Sequence, residues 1–95
     1  MTTVIIHHRV ADYDAWKIEY DRVFEMPLSA AVQTYRIWRG QDDPGLVILE
    51  ETYESRDAAE GALNNPDLLP ELVRAGVEMD SVRIDYVDLM EEGSH

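Results

Sequence analysis

The stretch from Val32 to Tyr53, VQTYRIWRGQDDPGLVILEETY, decides the fold. Val32 to Arg39 alternates in the period of two that a half-buried strand requires, and Leu46 to Tyr53 forms a second strand-like run. Between them, Gly40, Gln41, Asp42, Asp43, Pro44 and Gly45 concentrate turn formers. The two runs are therefore predicted to form a hairpin. Upstream, Val4 to Val10 reads as a β-branched strand, with Val4, Ile6, His8 and Val10 on one face and Ile5, His7 and Arg9 on the other. Asp12 is placed to cap the next helix and Asp14 adds negative charge to its first turn, while Tyr13, Trp16, Tyr20, Val23 and Phe24 recur at helical spacing up to a stop at Pro27. Downstream, Ser55 caps a helix carrying Ala58, Ala59, Ala62 and Leu63. Asn64, Asn65 and Pro66 interrupt it, and Pro70 fits the first turn of a fresh helix, so a break falls between Asn65 and Leu69. The second piece should bury Leu68, Leu69, Leu72 and Val73 and stop at Gly76, and Val82 to Met90 supplies a fourth strand.

The order β-α-β-β-α-β is the split βαβ of ferredoxin-like α+β domains, an antiparallel four-stranded sheet with its helices on one face. At 95 residues the chain suits one domain, expected over residues 1–92, and excludes a cofactor domain joined to a substrate domain. Gly93, Ser94 and His95 resemble an expression-tag scar, and His95 is given no chemistry. Two helices cover only one face of the sheet, yet strands three and four carry apolar side chains on both: Leu46 and Ile48 against Val47 and Leu49, and Val82 and Ile84 against Val87 and Leu89. The uncovered face predicts a homodimer formed through the sheet.

Eight basic residues against 20 acidic ones give a formal charge of −12, which repels phosphate backbones and acidic membranes, so no nucleic acid or membrane partner is expected. The absence of cysteine removes disulfides, thiolate metal sites and cysteine nucleophiles. No apolar stretch has signal-peptide or membrane-spanning length, which predicts a cytoplasmic location. There is no phosphate-cradling glycine loop, no GxSxG elbow, no HExxH pair and no EF-hand pattern, leaving His, Glu, Tyr and Arg to carry any chemistry.

The string Asp12-Tyr13-Asp14-Ala15-Trp16-Lys17, the hairpin Asp42-Asp43-Pro44, the segment Asn65-Pro66-Asp67-Leu68 and the turn Arg74-Ala75-Gly76-Val77 are similar to those of a family of small bacterial proteins. That family lies in the dimeric α/β-barrel superfamily, is often labelled cyclase, and is grouped with antibiotic-biosynthesis monooxygenases. The resemblance runs from His8 to the fourth strand. It implies two ferredoxin-like subunits whose sheets form a barrel, with a ligand cavity in each subunit between sheet and helices. This sequence departs from the pattern at Glu25 to Ala30, where a more basic, glycine-bearing stretch is expected, and at Glu50 and Glu51, where apolar residues are expected.

His8 shares its strand face with Val4, Ile6 and Val10 and is placed to act as a general base near neutral pH, or to serve as a hydrogen-bonded core histidine. His7 points the other way, so the pair cannot ligate one metal, and no metal site is expected. Glu50 and Glu51 interrupt an apolar strand, so one carboxylate should face inward, either as a proton partner of raised pKa or in a cross-strand pair with Arg36 or Arg39. Tyr20 and Tyr35 are candidate enolate donors, and Trp16, Phe24, Arg36 and Trp38 candidate substrate-binding residues. Together these predict a cyclase-like tailoring enzyme, independent of any cofactor, that performs proton transfer and ring closure on a polyketide-like or other apolar carbonyl compound. A cofactor-free monooxygenase acting on an electron-rich aromatic compound is one alternative, and a non-catalytic ligand-binding or structural dimer is another. A haem-handling protein is disfavoured, because Ser55 to Gly76 contains no histidine to serve as an axial ligand.

Overall fold

The alternation of Leu46 to Tyr53 places Val47, Leu49, Glu51 and Tyr53 on one face of a central strand, and in the computed structural model, which describes residues 1–95, all four are buried. The elements run β1 (Thr2–Val10), α1 (Tyr13–Phe24), a short 3-10 turn (Pro27–Ser29), β2 (Thr34–Arg39), β3 (Leu46–Tyr53), α2 (Arg56–Leu63), α3 (Leu68–Arg74) and β4 (Val77–Val87). The sheet order is β2-β3-β1-β4 with every pairing antiparallel, which is the ferredoxin-like arrangement with its helices on one face. Asp12 caps α1 by accepting from the backbone N–H groups of Asp14 and Ala15, and Ser55 caps α2 by accepting from that of Ala58.

The hairpin between β2 and β3 is tied to β1 by a fork from Arg9 onto the Asp43 carboxylate, with Nη2 donating to Oδ1 at 2.9 Å. Gly40 is needed at its start, because a Cβ there would stand 2.5 Å from the Asp43 carbonyl oxygen. Gly76 adopts φ +79° and reverses the chain from α3 into β4, a conformation that side chains with a Cβ resist.

The fourth strand differs from its expected span of Val82 to Met90. It starts at Val77 and passes through an irregularity where His7 pairs with Arg83 but Arg9 already pairs with Glu78. The polar run Glu78 to Ser81 hides this strand from a hydrophobic-period reading, and Ser81 repairs the ladder by accepting from the Arg9 N–H and donating to the Glu78 carbonyl. At the other end pairing stops at Thr3 with Val87, where β1 has little chain left to offer, so Leu89 and Met90 lie outside the sheet and are exposed. The second strand likewise starts at Thr34, two residues later than expected. In α3, Leu69 and Val73 face solvent at 56% and 60% exposure instead of packing inward. Seven residues present only one narrow stripe, and that stripe is Leu68, Glu71 and Leu72, continued by the C-cap residue Ala75.

The core divides into two clusters along β1. Val10, Trp16, Val47, Ala75 and Val77 pack at one end, and Val4, Tyr53 and Ala59 at the other. Val4 and Val10 lie roughly 20 Å apart along an extended strand. The interval between the clusters, floored by Ile6 and Leu49, is where the layers leave a cavity.

Candidate active-site cavity

The cavity between sheet and helices has a volume of about 100 Å³, of the order that accommodates a single ring. Its roof comes from α1, α3 and the end of α2, and Leu28, Ser29 and Val32 close one side. The Glu25 to Ala30 departure thus contributes to the wall. Its surface is largely apolar, and the polar groups on it are few.

His8 is one of them. Parity on β1 directs it toward the helices, where it is 4% exposed and stands 5.5 Å, ring centre to ring centre, from Trp16. Its Nδ1 is fully buried and has no hydrogen-bond partner. Burial pushes its pKa below the ordinary 6.5 and outweighs the nearby Ile6 backbone, which acts to raise it without making a well-formed hydrogen bond to Nδ1, so the imidazole is neutral at physiological pH. A neutral ring with an unpaired nitrogen in an apolar cavity is equipped to exchange a proton or a hydrogen bond with a ligand.

Glu51 is the second. The registers Val4 with Glu51 and Tyr35 with Glu51 place it on the helix-facing side of the sheet, at 6% exposure, while Glu50 lies on the opposite face, 3.8 Å from Arg36. Glu51 Oε1 accepts from the Tyr53 hydroxyl at 2.8 Å and Oε2 from the Tyr20 hydroxyl at 3.1 Å. Burial raises the Glu51 pKa and outweighs the two hydroxyl bonds, which act to lower it. Burial and the neighbouring carboxylate in turn hold both phenols well above the usual tyrosine range.

A pH signature follows from this carboxyl. Above 4.5 the unfolded chain has released its proton while the folded protein still retains it, so stability owed to Glu51 falls as pH rises through the folded value and then levels off. His8 acts in the opposite sense: below 6.5 the unfolded chain takes up a proton that the folded one refuses, and stability falls as pH drops. Subtracting the denaturation midpoints of Glu51→Gln from those of the wild type isolates the carboxyl. The wild type is expected to gain on the variant as pH falls through the raised folded value toward 4.5. A constant difference across that range would remove Glu51 as a buried, cation-free carboxyl.

The other sequence candidates are distributed unevenly. Trp16 and Tyr20 line the cavity, stacked at 5.2 Å. Phe24 and Tyr35 pack on each other at 5.0 Å behind Tyr20, outside the lining, and Tyr35 is 46% exposed. Arg36 and Trp38 fall on the far face of the sheet with Glu50, because the β2 register puts Tyr35, Ile37 and Arg39 on the helix side. Parity along β2, fixed by the hairpin register, separates these residues from the cavity. Tyr53 was legible as a neighbour of Glu51 on its strand face, but its role as a hydroxyl donor was not. Glu71, 9% exposed and paired with Arg22 of α1, also borders the cavity, and its place in the Leu68, Leu72 and Ala75 stripe was the available signal.

No protein-family model and no curated protein sequence matches this chain. Solved structures do. A variant of SnoaB, a cofactor-independent oxygenase from Streptomyces nogalater, superposes with a TM-score of 0.72 at 15% identity, over 96% of this chain and 94% of that one. Rv0793 from Mycobacterium tuberculosis gives 0.66 at 21% identity, over 99% and 100% of the two chains. An antibiotic biosynthesis monooxygenase gives 0.68 at 15% identity, over 96% and 100%. At these identities the likeness establishes a shared fold.

Proposed function

We propose that this protein is a small-molecule enzyme that works without a cofactor and begins by removing a proton from an apolar carbonyl or phenolic compound at His8. The observation that carries this reading is the buried, unpaired Nδ1 of His8 on the wall of an apolar cavity. The neutral imidazole takes an acidic C–H or O–H proton, and the imidazolium formed beside the resulting enolate or phenolate balances its charge in a region from which water is excluded. Trp16 forms one side of the slot, and Glu51 with its two tyrosine hydroxyls holds a polar group at the other end. His8 is level with Val47 and Glu51 with Val4, which sets the two roughly 13 Å apart along the strands. They address different ends of one ligand.

Two fates of the carbanion fit this start. In the cyclase-like one, the enolate carbon attacks a carbonyl of the same molecule and the new alkoxide recovers the proton from His8. In the oxygenase-like one, favoured by the fold shared with a cofactor-independent oxygenase, the carbanion reduces dioxygen: a CH2 group becomes C=O, and the second oxygen atom leaves as water. A second copy of the chain covering the open sheet face, where Trp38 and Ile48 are cross-strand neighbours, completes this reading.

Incubation with single-ring phenolic ketones and linear 1,3-diketones in an oxygen-electrode cell, followed by mass spectrometry of the products, tests the reading. Oxygen consumed one-to-one with a product 14 mass units heavier marks the oxygenase, the arithmetic of exchanging two hydrogens for one oxygen. A dehydrated or isomeric product without oxygen uptake marks the cyclase. No turnover of either set would leave a non-catalytic binding protein.

A further inference from the structure

The charged residues on the cavity wall are all of one sign. Glu19, Glu51 and Glu71 border it, and no lysine or arginine does. Two of these carboxylates have cations of their own. Glu19 accepts from Arg22 Nε at 3.0 Å, and Glu71 is paired with Arg22 and lies 3.7 Å from Arg74 Nη1. Glu51 has none: no basic nitrogen approaches within 4.0 Å of it, and its only partners are the hydroxyls of Tyr20 and Tyr53.

A carboxylate oxygen accepts more than one hydrogen bond, so each Glu51 oxygen keeps capacity for a further donor. Carboxylates this deeply buried are ordinarily paired with a cation, and two neutral hydroxyls do not supply one. The stacked rings of Trp16 and Tyr20 stand beside the Tyr20 to Glu51 bond, and aromatic faces attract cations. The unpaired, buried Nδ1 of His8 is an independent mark of the same cavity as a place that awaits a polar ligand.

We propose that the cavity selects its ligand by charge: it takes a ring compound carrying a protonated amine, which docks on Glu51 between the Tyr20 and Tyr53 hydroxyls, and it rejects carboxylates. The inference rests on reading this cavity as the substrate site and narrows the substrate to an amine-bearing carbonyl or phenol. The ammonium adds charge-assisted bonds to the Glu51 carboxylate, whereas an anion would meet that unpaired carboxylate and no lysine or arginine on the wall.

Three single-ring probes that differ in one group, benzylamine, benzyl alcohol and benzoate, test it. Each is titrated into the full chain at pH 7 and about 0.3 M salt, which screens the acidic exterior, with binding followed at the Trp16 indole and His8 ring resonances. Benzylamine is expected to bind roughly 10- to 100-fold more tightly than benzyl alcohol, the range of one charged hydrogen bond, with benzoate weakest. In Glu51→Gln, which keeps the size and polarity of the side chain, the amine advantage should shrink to within about twofold while the alcohol is unaffected. Benzoate binding as tightly as benzylamine, or an amine advantage that survives in Glu51→Gln, overturns charge selection while leaving the substrate-site reading in place. If none of the three perturbs Trp16 and His8, the cavity is not a ligand site and both readings fall.

Discussion

His8→Ala folds normally and loses turnover by about 10²- to 10⁴-fold, the contribution typical of a positioned general base. The fold survives because the histidine makes no hydrogen bond through Nδ1 that the protein depends on, and its removal relieves a buried unpaired polar atom. Steady-state rates on whichever substrate class is turned over, with circular dichroism as the fold control, check this. The pH profile adds a readout that a structural role would not move: wild-type kcat/KM should rise with pH along an acid limb set below 6.5, since burial holds the His8 pKa down, and the limb should vanish in the variant. Retained activity in a folded His8→Ala protein would remove proton abstraction at this residue from the mechanism. A bound benzylamine in that variant would show that the Glu51 end of the cavity still works.

Trp16→Ala is expected to cost about 3 to 5 kcal/mol of stability, the range for truncating a large buried aromatic side chain. Trp16 is 2% exposed, belongs to the core cluster with Val10 and Val47, and contacts three rings: His8 at 5.5 Å, Tyr13 at 5.8 Å and Tyr20 at 5.2 Å. For a domain of this size each kcal/mol moves Tm by about 4 to 8 °C, so a fall of at least about 12 °C should appear in a thermal melt. Trp16→Phe restores part of the packing and should recover more than half of the loss. A melt unchanged by Trp16→Ala would mean that the ring is a ligand platform with little part in the core. The same substitution enlarges the cavity, and the contrast between the two variants separates packing from recognition.

The His8 effect traces to the strand alternation of β1 and the Trp16 effect to the helical spacing of α1, both read from the sequence. Val4, Ile6, His8 and Val10 do share the helix-facing side, and the hairpin from Val32 to Tyr53 does form, because period-two patterning and dense turn chemistry are local properties that packing had no reason to override. Boundaries were less legible where the local signal was polar. The strand from Val77 enters through Glu78-Met79-Asp80-Ser81, which lacks an apolar alternation, and only its pairing across Arg9 makes that run part of the sheet. Glu71 carries only a weak local signal of burial, its place in the Leu68 and Leu72 stripe, because a charged residue in a short helix is usually exposed; Arg22, 49 positions away, is what permits its burial.

The sequence by itself determined the element order, the ferredoxin-like sheet, the inward face of β1 and the absence of thiol chemistry. These depend on periodicity, caps and composition, which act over a few residues. Tertiary structure decided which of Glu50 and Glu51 enters the cavity, since two adjacent strand residues are equivalent until a register assigns them to faces, and the pairing of Val4 and Tyr35 with Glu51 makes that assignment. It also decided that Arg36 and Trp38 stand apart from Trp16 and Tyr20, and that Glu51 meets two hydroxyls and no cation. Charge environment is a property of what converges from distant segments, and no local pattern encodes it.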